Sequence, residues 1–174
     1  MVEELERTYL AKELPNDLNE FPSKEMVDLY IPVSSAHPVL RVRKNGENYE
    51  VTKKQPIVSG DASRQSEETI QLSEKEYDAL VSIPGKRIAK TRYLYQSQGA
   101  TFEIDIFRDV LVGLVLVDVE FSSKEVMDKF LAPDFCLIEV TQEKFVAGGE
   151  LAGKKYLDIE ADLQRLGYQR LSDY

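Results

Sequence analysis

The sequence predicts a mainly β, α+β fold: an eight-stranded antiparallel sheet closed into a barrel, with helices packed outside it. Three observations lead there. Charged residues alternate with apolar ones in eight short stretches spread along the chain, the period of strands whose two faces differ. The charges come in sets, acids in some stretches and bases in others, as they would if all the polar faces shared one interior. Two Ser-x-x-Glu boxes, at Ser73 and Ser122, follow strand patterns and mark helix starts for the outside.

Glu4-Leu5-Glu6-Arg7-Thr8-Tyr9 is the first strand, with Glu4, Glu6 and Thr8 on one face and Leu5 and Tyr9 on the other. Acids at i and i+2 either hold a divalent cation or face water. Lys12 to Lys24 reads as a connection, with a helical turn near Ser23 to Val27. Asp28 to Ile31 is a strand stopped by Pro32. Val39 to Arg43 and Tyr49 to Lys54 flank Asn45-Gly46, a hairpin signal, with Arg41 and Arg43 on one face and Thr52 and Lys54 on another. Gln55 to Ser66 carries Pro, Gly, Ser and Asp and reads as the longest loop. Glu67 to Leu72 is a strand with Ile70 and Leu72 on its apolar face, and the first capping box begins a helix that Pro84-Gly85 ends. Ile88 to Tyr93 and Phe102 to Phe107 are strands joined by a polar turn, and Val117-Asp118-Val119-Glu120-Phe121 alternates without interruption. The second capping box starts a helix closed by Pro133, and Leu137 to Thr141 is a last strand. Tyr156, Ile159, Leu163 and Leu166 recur at helical spacing before Gly167, a C-terminal stop.

Length and composition bound the rest. One domain over residues 1–174 is expected, since no linker or internal repeat divides the chain. It is 43% hydrophobic and 30% charged, with no run long enough to span a bilayer and no secretory leader pattern, so a cytoplasmic protein is expected. One cysteine, Cys136, excludes an intrachain disulfide, and one histidine, His37 in a loop context, leaves histidine-centred catalysis little basis. A net charge of −9 argues against nucleic acid or an anionic membrane as a partner over the general surface. A basic pocket inside an acidic protein stays compatible with it.

A sheet with one solvated face shows the same alternation as the charged faces Glu4/Glu6, Arg41/Arg43, Lys54, Glu67, Lys90/Arg92, Glu103/Asp105, Asp118/Glu120 and Glu139. Solvated faces, however, mix their polar residues without system. An enclosed interior of bases and acids together suits a polyphosphate: Arg and Lys contact phosphate oxygens, while carboxylates hold Mg²⁺ or Mn²⁺ bridging to the same oxygens.

Taken in order, Glu4-Leu5-Glu6, the Arg41-Val42-Arg43 hairpin to Lys54, Lys90-Thr91-Arg92-Tyr93, Glu103-Ile104-Asp105, Asp118-Val119-Glu120 and Glu139-Val140-Thr141 resemble the successive strands of the CYTH family, also called triphosphate tunnel metalloenzymes. The resemblance runs from about Glu4 to Ala152. It implies an eight-stranded tunnel and a family that includes inorganic tripolyphosphatases, thiamine triphosphatases, RNA 5′-triphosphatases and class IV adenylyl cyclases. By that similarity Glu4, Glu6, Asp105, Asp118 and Glu120 are metal-site candidates, with Glu67, Glu103 and Glu139 as possible additions. Arg41, Arg43, Lys54, Lys90 and Arg92 would bind a triphosphate, and Lys90 would also activate the attacking water. The chain departs from the family pattern at Thr8, where a lysine is usual, at Thr69, and at the shorter Asp118. The resemblance thus implies a Mg²⁺- or Mn²⁺-dependent hydrolase of tripolyphosphate or a related small triphosphate. A module that binds a polyphosphate or nucleotide without cleaving it is the alternative, and an adenylyl cyclase ranks below both.

Overall fold

The computed structural model describes residues 2–171, and within them the chain forms nine strands and four α-helices. The strands are β1 Val2–Ala11, β2 Ser23–Ile31, β3 Leu40–Asn45, β4 Asn48–Val58, β5 Asp61–Leu72, β6 Lys86–Ser97, β7 Ala100–Phe107, β8 Val115–Phe121 and β9 Cys136–Glu139. The helices are α1 Glu74–Val81, α2 Lys124–Lys129, α3 Gly148–Leu151 and α4 Tyr156–Arg165.

Neighbouring strands are antiparallel and follow the order β5-β4-β3-β2-β6-β7-β8-β1, and β1 pairs back to β5. That last pairing closes an eight-stranded barrel and removes its edges. β1 is the seam: one edge pairs β8 from Leu5 to Leu10, while the other pairs β5 up to Leu5 and takes β9, the added strand, from Tyr9. Where β5 has left and β9 has not begun, the Thr8 N–H donates to Thr141 Oγ1 at 3.1 Å and the Thr8 carbonyl accepts from the Val140 N–H at 2.8 Å. The backbone stays satisfied across the gap.

The apolar core lies outside the barrel wall and at one of its ends. Tyr9, Phe102, Ile104, Val117 and Val119 pack over the outer faces of β1, β7 and β8. A second cluster joins Leu10, Phe107 and Leu116 to Leu151, Tyr156, Ile159 and Leu163, so that α3 and α4 cover that end. Close approach there requires glycine. A Cβ at Gly148 would sit 2.0 Å from the Tyr30 hydroxyl, and one at Gly149 would sit 2.2 Å from the Pro38 carbonyl oxygen.

Several local expectations are corrected. Ser23 to Val27 is the first half of β2, paired with β6 throughout and with β3 from Met26, and the helical turn is a 3₁₀ turn earlier, at Leu18–Glu20. Two flanking strands outweigh a weak local preference. Gln55 to Ser66 is the continuation of the β4–β5 hairpin. Its Pro56 is tolerated because β3 begins at Leu40: the Lys54 N–H still reaches Val39, but the same edge two residues on has no strand to donate to. In the β3–β4 hairpin Asn45 pairs with Asn48, so the two-residue loop is Gly46-Glu47 with the positive-φ glycine first. The capping box at Ser73 forms with both hydrogen bonds, whereas α2 is capped by Ser123, whose hydroxyl accepts from the Val126 N–H. α1 buries none of its residues, so the cover falls to α2, α3 and α4.

Candidate active site in the barrel interior

Because side chains alternate along a strand, every second residue of the barrel strands points inward. Glu4, Glu6 and Thr8 of β1, Arg41 and Arg43 of β3, Lys54 of β4 and Glu67 of β5 line a cavity of about 420 Å³. They are joined by Lys90 and Arg92 of β6, Glu103 and Asp105 of β7, and Asp118 and Glu120 of β8. Of the residues singled out in the sequence, Glu139 stands apart. It faces Arg7 at 3.6 Å, on the opposite face of β1 from Glu6 and Thr8.

The interior charges fall into three groups. On β2 and β3, Arg43 forms a two-pronged pair with Asp28, Nε to Oδ1 at 2.6 Å and Nη2 to Oδ2 at 2.8 Å, with Glu50 3.9 Å from Nη1. Burial alone would raise the Asp28 carboxyl, but Arg43 outweighs it and holds the pKa near 2. Arg41 beside it faces Glu67 at 3.5 Å, and its Nε is buried without a hydrogen-bond partner among the described residues.

On β6 and β7, Asp105 receives both Lys90 and Arg92, with Arg92 Nε 2.6 Å from Oδ1, and Glu103 is bound by Arg92 Nη1. Burial and the neighbouring Arg92 charge lower the Lys90 pKa, against the pull of Asp105. Asp105 itself is held well below the carboxylate range: burial opposes this, and the Arg92 and Lys90 charges override it.

On β1 and β8, Glu4, Glu6 and Glu120 each present a carboxylate oxygen, all within 4.8 Å of one another. The ammonium of Lys54 lies 3.0 Å from Glu4 and 2.8 Å from Glu6. Asp118 accepts a hydrogen bond from Thr8 Oγ1 at 2.7 Å and lies 3.5 Å from Arg92. Its pKa is pushed up to about 7, first by burial and then by the charges of Glu6 and Asp105. Burial, then Glu103 and Glu4, raise Glu120 as well. Of the carboxylates assigned by resemblance to a metal, the structure therefore brings Glu4, Glu6 and Glu120 together, keeps Asp118 beside them, and gives Asp105 to two bases.

Sequence reasoning missed the contribution of β2, which sends Lys24, Met26, Asp28 and Tyr30 inward. The signal was there as an alternating run, hidden because Met26 and Tyr30 look like core residues. Glu50 and Thr141 also line the cavity and were not singled out. Beyond the charges, Ile88, Phe107, Leu116, Val146 and Leu151 make the end under α3 apolar.

The fold and its interior define the class: closed antiparallel barrels whose cavity is lined by opposed acids and bases. No family model matches the chain. An inorganic triphosphatase from Nitrosomonas europaea is 33% identical over 144 residues, a match spanning 81% of this chain and 91% of that protein. The crystal structure of an inorganic triphosphatase superposes with a TM-score of 0.65 at 29% identity, covering 88% of this chain and 97% of that one. A candidate adenylate cyclase from Bacillus halodurans shares the fold, with a TM-score of 0.52 and 14% identity over 100% of this chain and 96% of that one. The chain belongs to the inorganic triphosphatase family, in accord with the CYTH-like strand motifs. No helix among the described residues is long and apolar enough to cross a membrane.

Proposed function

We propose that the protein hydrolyses inorganic tripolyphosphate, or a closely related small triphosphate, inside its barrel with the help of Mg²⁺ or Mn²⁺. The observation that carries this reading is the grouping of Glu4, Glu6 and Glu120 within 4.8 Å, in the same cavity as Arg41, Lys54, Lys90 and Arg92. Three carboxylate oxygens at that spacing fit a hard cation, which prefers oxygen ligands. When bound there, such an ion supplies charge neutralisation and orientation for phosphate oxygens.

The chain's own residues do the rest. Arg41, whose buried Nε has no hydrogen-bond partner among the described residues, and Lys54 contact the phosphate oxygens. Arg92, fixed by Asp105 and Glu103, presents a guanidinium of settled orientation. Lys90 orients the attacking water and, with its pKa lowered by burial and by Arg92, exchanges a proton more readily than a surface lysine. Water attacks the terminal phosphorus as the bond to the bridging oxygen breaks, giving phosphate and pyrophosphate. Positioning and charge stabilisation dominate such a transfer. The cavity is lined chiefly by charged side chains, which favours a substrate that is little more than phosphates.

Phosphate release tests this across tripolyphosphate, thiamine triphosphate, ATP and pyrophosphate, with Mg²⁺, with Mn²⁺ and with chelator. Tripolyphosphate turnover that depends on the metal is the expected result. Metal-dependent binding without phosphate release from any of the four would leave the capture module instead.

A further inference from the structure

Lys54 stands where a cation bound to Glu4 and Glu6 would have to stand. Its ammonium contacts one oxygen of each, at 3.0 and 2.8 Å, and those two glutamates with Glu120 form the one compact carboxylate group found among the described residues. The contact is not a neighbour-strand accident. Lys54 pairs across the sheet with Glu67 of β5, so its side chain reaches over β5 to β1. An ammonium and a divalent ion compete for those carboxylates: two cations held a few ångströms apart in a partly enclosed site repel, so a metal on Glu4 and Glu6 weakens their hold on Lys54.

We propose that Lys54 is a placeholder cation that couples metal loading to triphosphate capture. This rests on the function proposed above. Without metal, the ammonium neutralises Glu4 and Glu6 and is withheld from the cavity. When Mg²⁺ or Mn²⁺ takes the carboxylates, Lys54 is released and becomes available to phosphate oxygens. A bare triphosphate thereby lacks the Lys54 contact, and the cost of moving the ammonium appears as a reduced apparent metal affinity, since only the fraction with free carboxylates is competent. Lys54 is in this sense a positioning residue as well as a phosphate contact.

The test compares Lys54→Met, close to lysine in length but uncharged, with Lys54→Arg and with Lys24→Met, a charge-matched control on the same cavity. Mn²⁺ binding is measured by calorimetry without phosphate, and binding of the non-hydrolysable imido analogue of tripolyphosphate is measured with Mn²⁺ and with chelator. Lys54→Met should bind Mn²⁺ on the order of tenfold more tightly than wild type, Lys24→Met within about threefold, and Lys54→Arg close to wild type. Lys54→Met should lose analogue affinity when Mn²⁺ is present and keep the weak wild-type affinity in chelator. Equal Mn²⁺ affinities for the two methionine variants, or an analogue loss of the same size with and without Mn²⁺, would overturn the placeholder role while leaving hydrolysis intact. A wild type that neither binds Mn²⁺ nor releases phosphate would overturn the proposed function and this inference with it.

Discussion

The two sides of the cavity use the same residue types and differ in how the charges are matched. On β2, β3, β6 and β7, Arg43 has Asp28, and Lys90 and Arg92 have Asp105 and Glu103. On β1 and β8, Glu4, Glu6, Asp118 and Glu120 gather around Lys54 and the far edge of Arg92. The consequence is visible in the carboxyl groups: Asp28 is driven down to about 2, Asp118 is pushed up to about 7. Burial acts in the same direction on both, so the matching of charge decides the difference. Matched charges fix the wall, and the less matched carboxylates are the ones proposed to take a metal.

The largest effect expected from this contrast is on stability. Asp28→Ala leaves the Arg43 guanidinium, 5% exposed, without its main partner. Breaking a buried pair costs ~3–5 kcal/mol, which lowers the melting temperature by roughly 10 °C for a chain of this size. Because the Asp28 carboxyl is lowered from 3.8 to about 2 on folding, its contribution is present above pH 4 and is lost as pH falls toward 2. The variant's penalty should therefore shrink on acidification. A melting curve within 2 °C of wild type at neutral pH, on the scale of less than ~1 kcal/mol, would mean the matched wall is not structural.

On the unmatched side the same kind of change should spare the fold and strike the metal. Glu120→Gln and Glu6→Gln keep shape and remove one ligand charge each, so the Mn²⁺ concentration for half-maximal phosphate release should rise about tenfold or more. Without metal, Glu120→Gln should melt at or above wild type, because repulsion among the carboxylates is relieved, whereas Glu6→Gln also takes a counter-charge from Lys54 and should melt below Glu120→Gln. Unchanged metal dependence in both would make this group an ordinary solvated face.

Asp118 supplies a smaller effect, readable as a slope. Its folded pKa of about 7 lies above the ordinary 3.8, so between those values the native state holds a proton that the unfolded chain has released. Stability from this group is complete below pH 4 and falls as pH rises to 7. Asp118→Asn should match wild type near pH 4 and melt a few degrees higher at pH 8, at roughly 2–4 °C for each kcal/mol recovered. If wild type and variant lose stability in parallel from pH 4 to 8, the crowding inferred around Asp118 is wrong.

How much of this was legible beforehand follows from the same physics. Period-2 alternation exposes a strand whose faces differ strongly, so β1, β3, β6, β7 and β8 and their inward charges could be read directly from residues such as Glu4/Glu6 and Lys90/Arg92. β2 was half read, because an interior face of Lys24, Met26, Asp28 and Tyr30 mixes types and its outer face mixes them too. The far end of the β4–β5 hairpin, Gln55 to Ser66, was read as a loop because Pro56, Ser59 and Gly60 are breakers by composition, and only register shows that the N-side of Pro56 falls where β3 has ended. Which acid pairs with which base was not legible at all. Asp105 and Asp118 look alike in their strands, and only their neighbours across the sheet, Arg92 for one and Thr8 for the other, separate them.

Thr8 offers the finest adjustment of the contrast, since it lies on the unmatched side, opposite Asp118 in the β1–β8 register, with its hydroxyl on that carboxylate at 2.7 Å. Thr8→Lys places a cation among the carboxylates without touching the matched wall. Part of the new charge is taken by Asp118, whose pKa should fall, so the pH slope described above should flatten. What remains acts on a bound anion in a partly enclosed site where screening is weak, and tripolyphosphate binding should tighten by a few-fold. Combining Thr8→Lys with Asp118→Asn frees the ammonium and should tighten it further. Turnover is a separate matter: kcat rises only if the added charge is felt more by the transition state than by bound substrate. Kd for the imido analogue and kcat for tripolyphosphate, measured on the single and double variants, give both halves. Tighter binding with unchanged kcat means the wild-type arrangement around Thr8 already supplies the catalytic charge, and tighter binding with a higher kcat means that charge is the missing part. Weaker binding in the single variant would mean that the cation needed on this wall belongs to the carboxylates alone, and that phosphate is held entirely by the matched side.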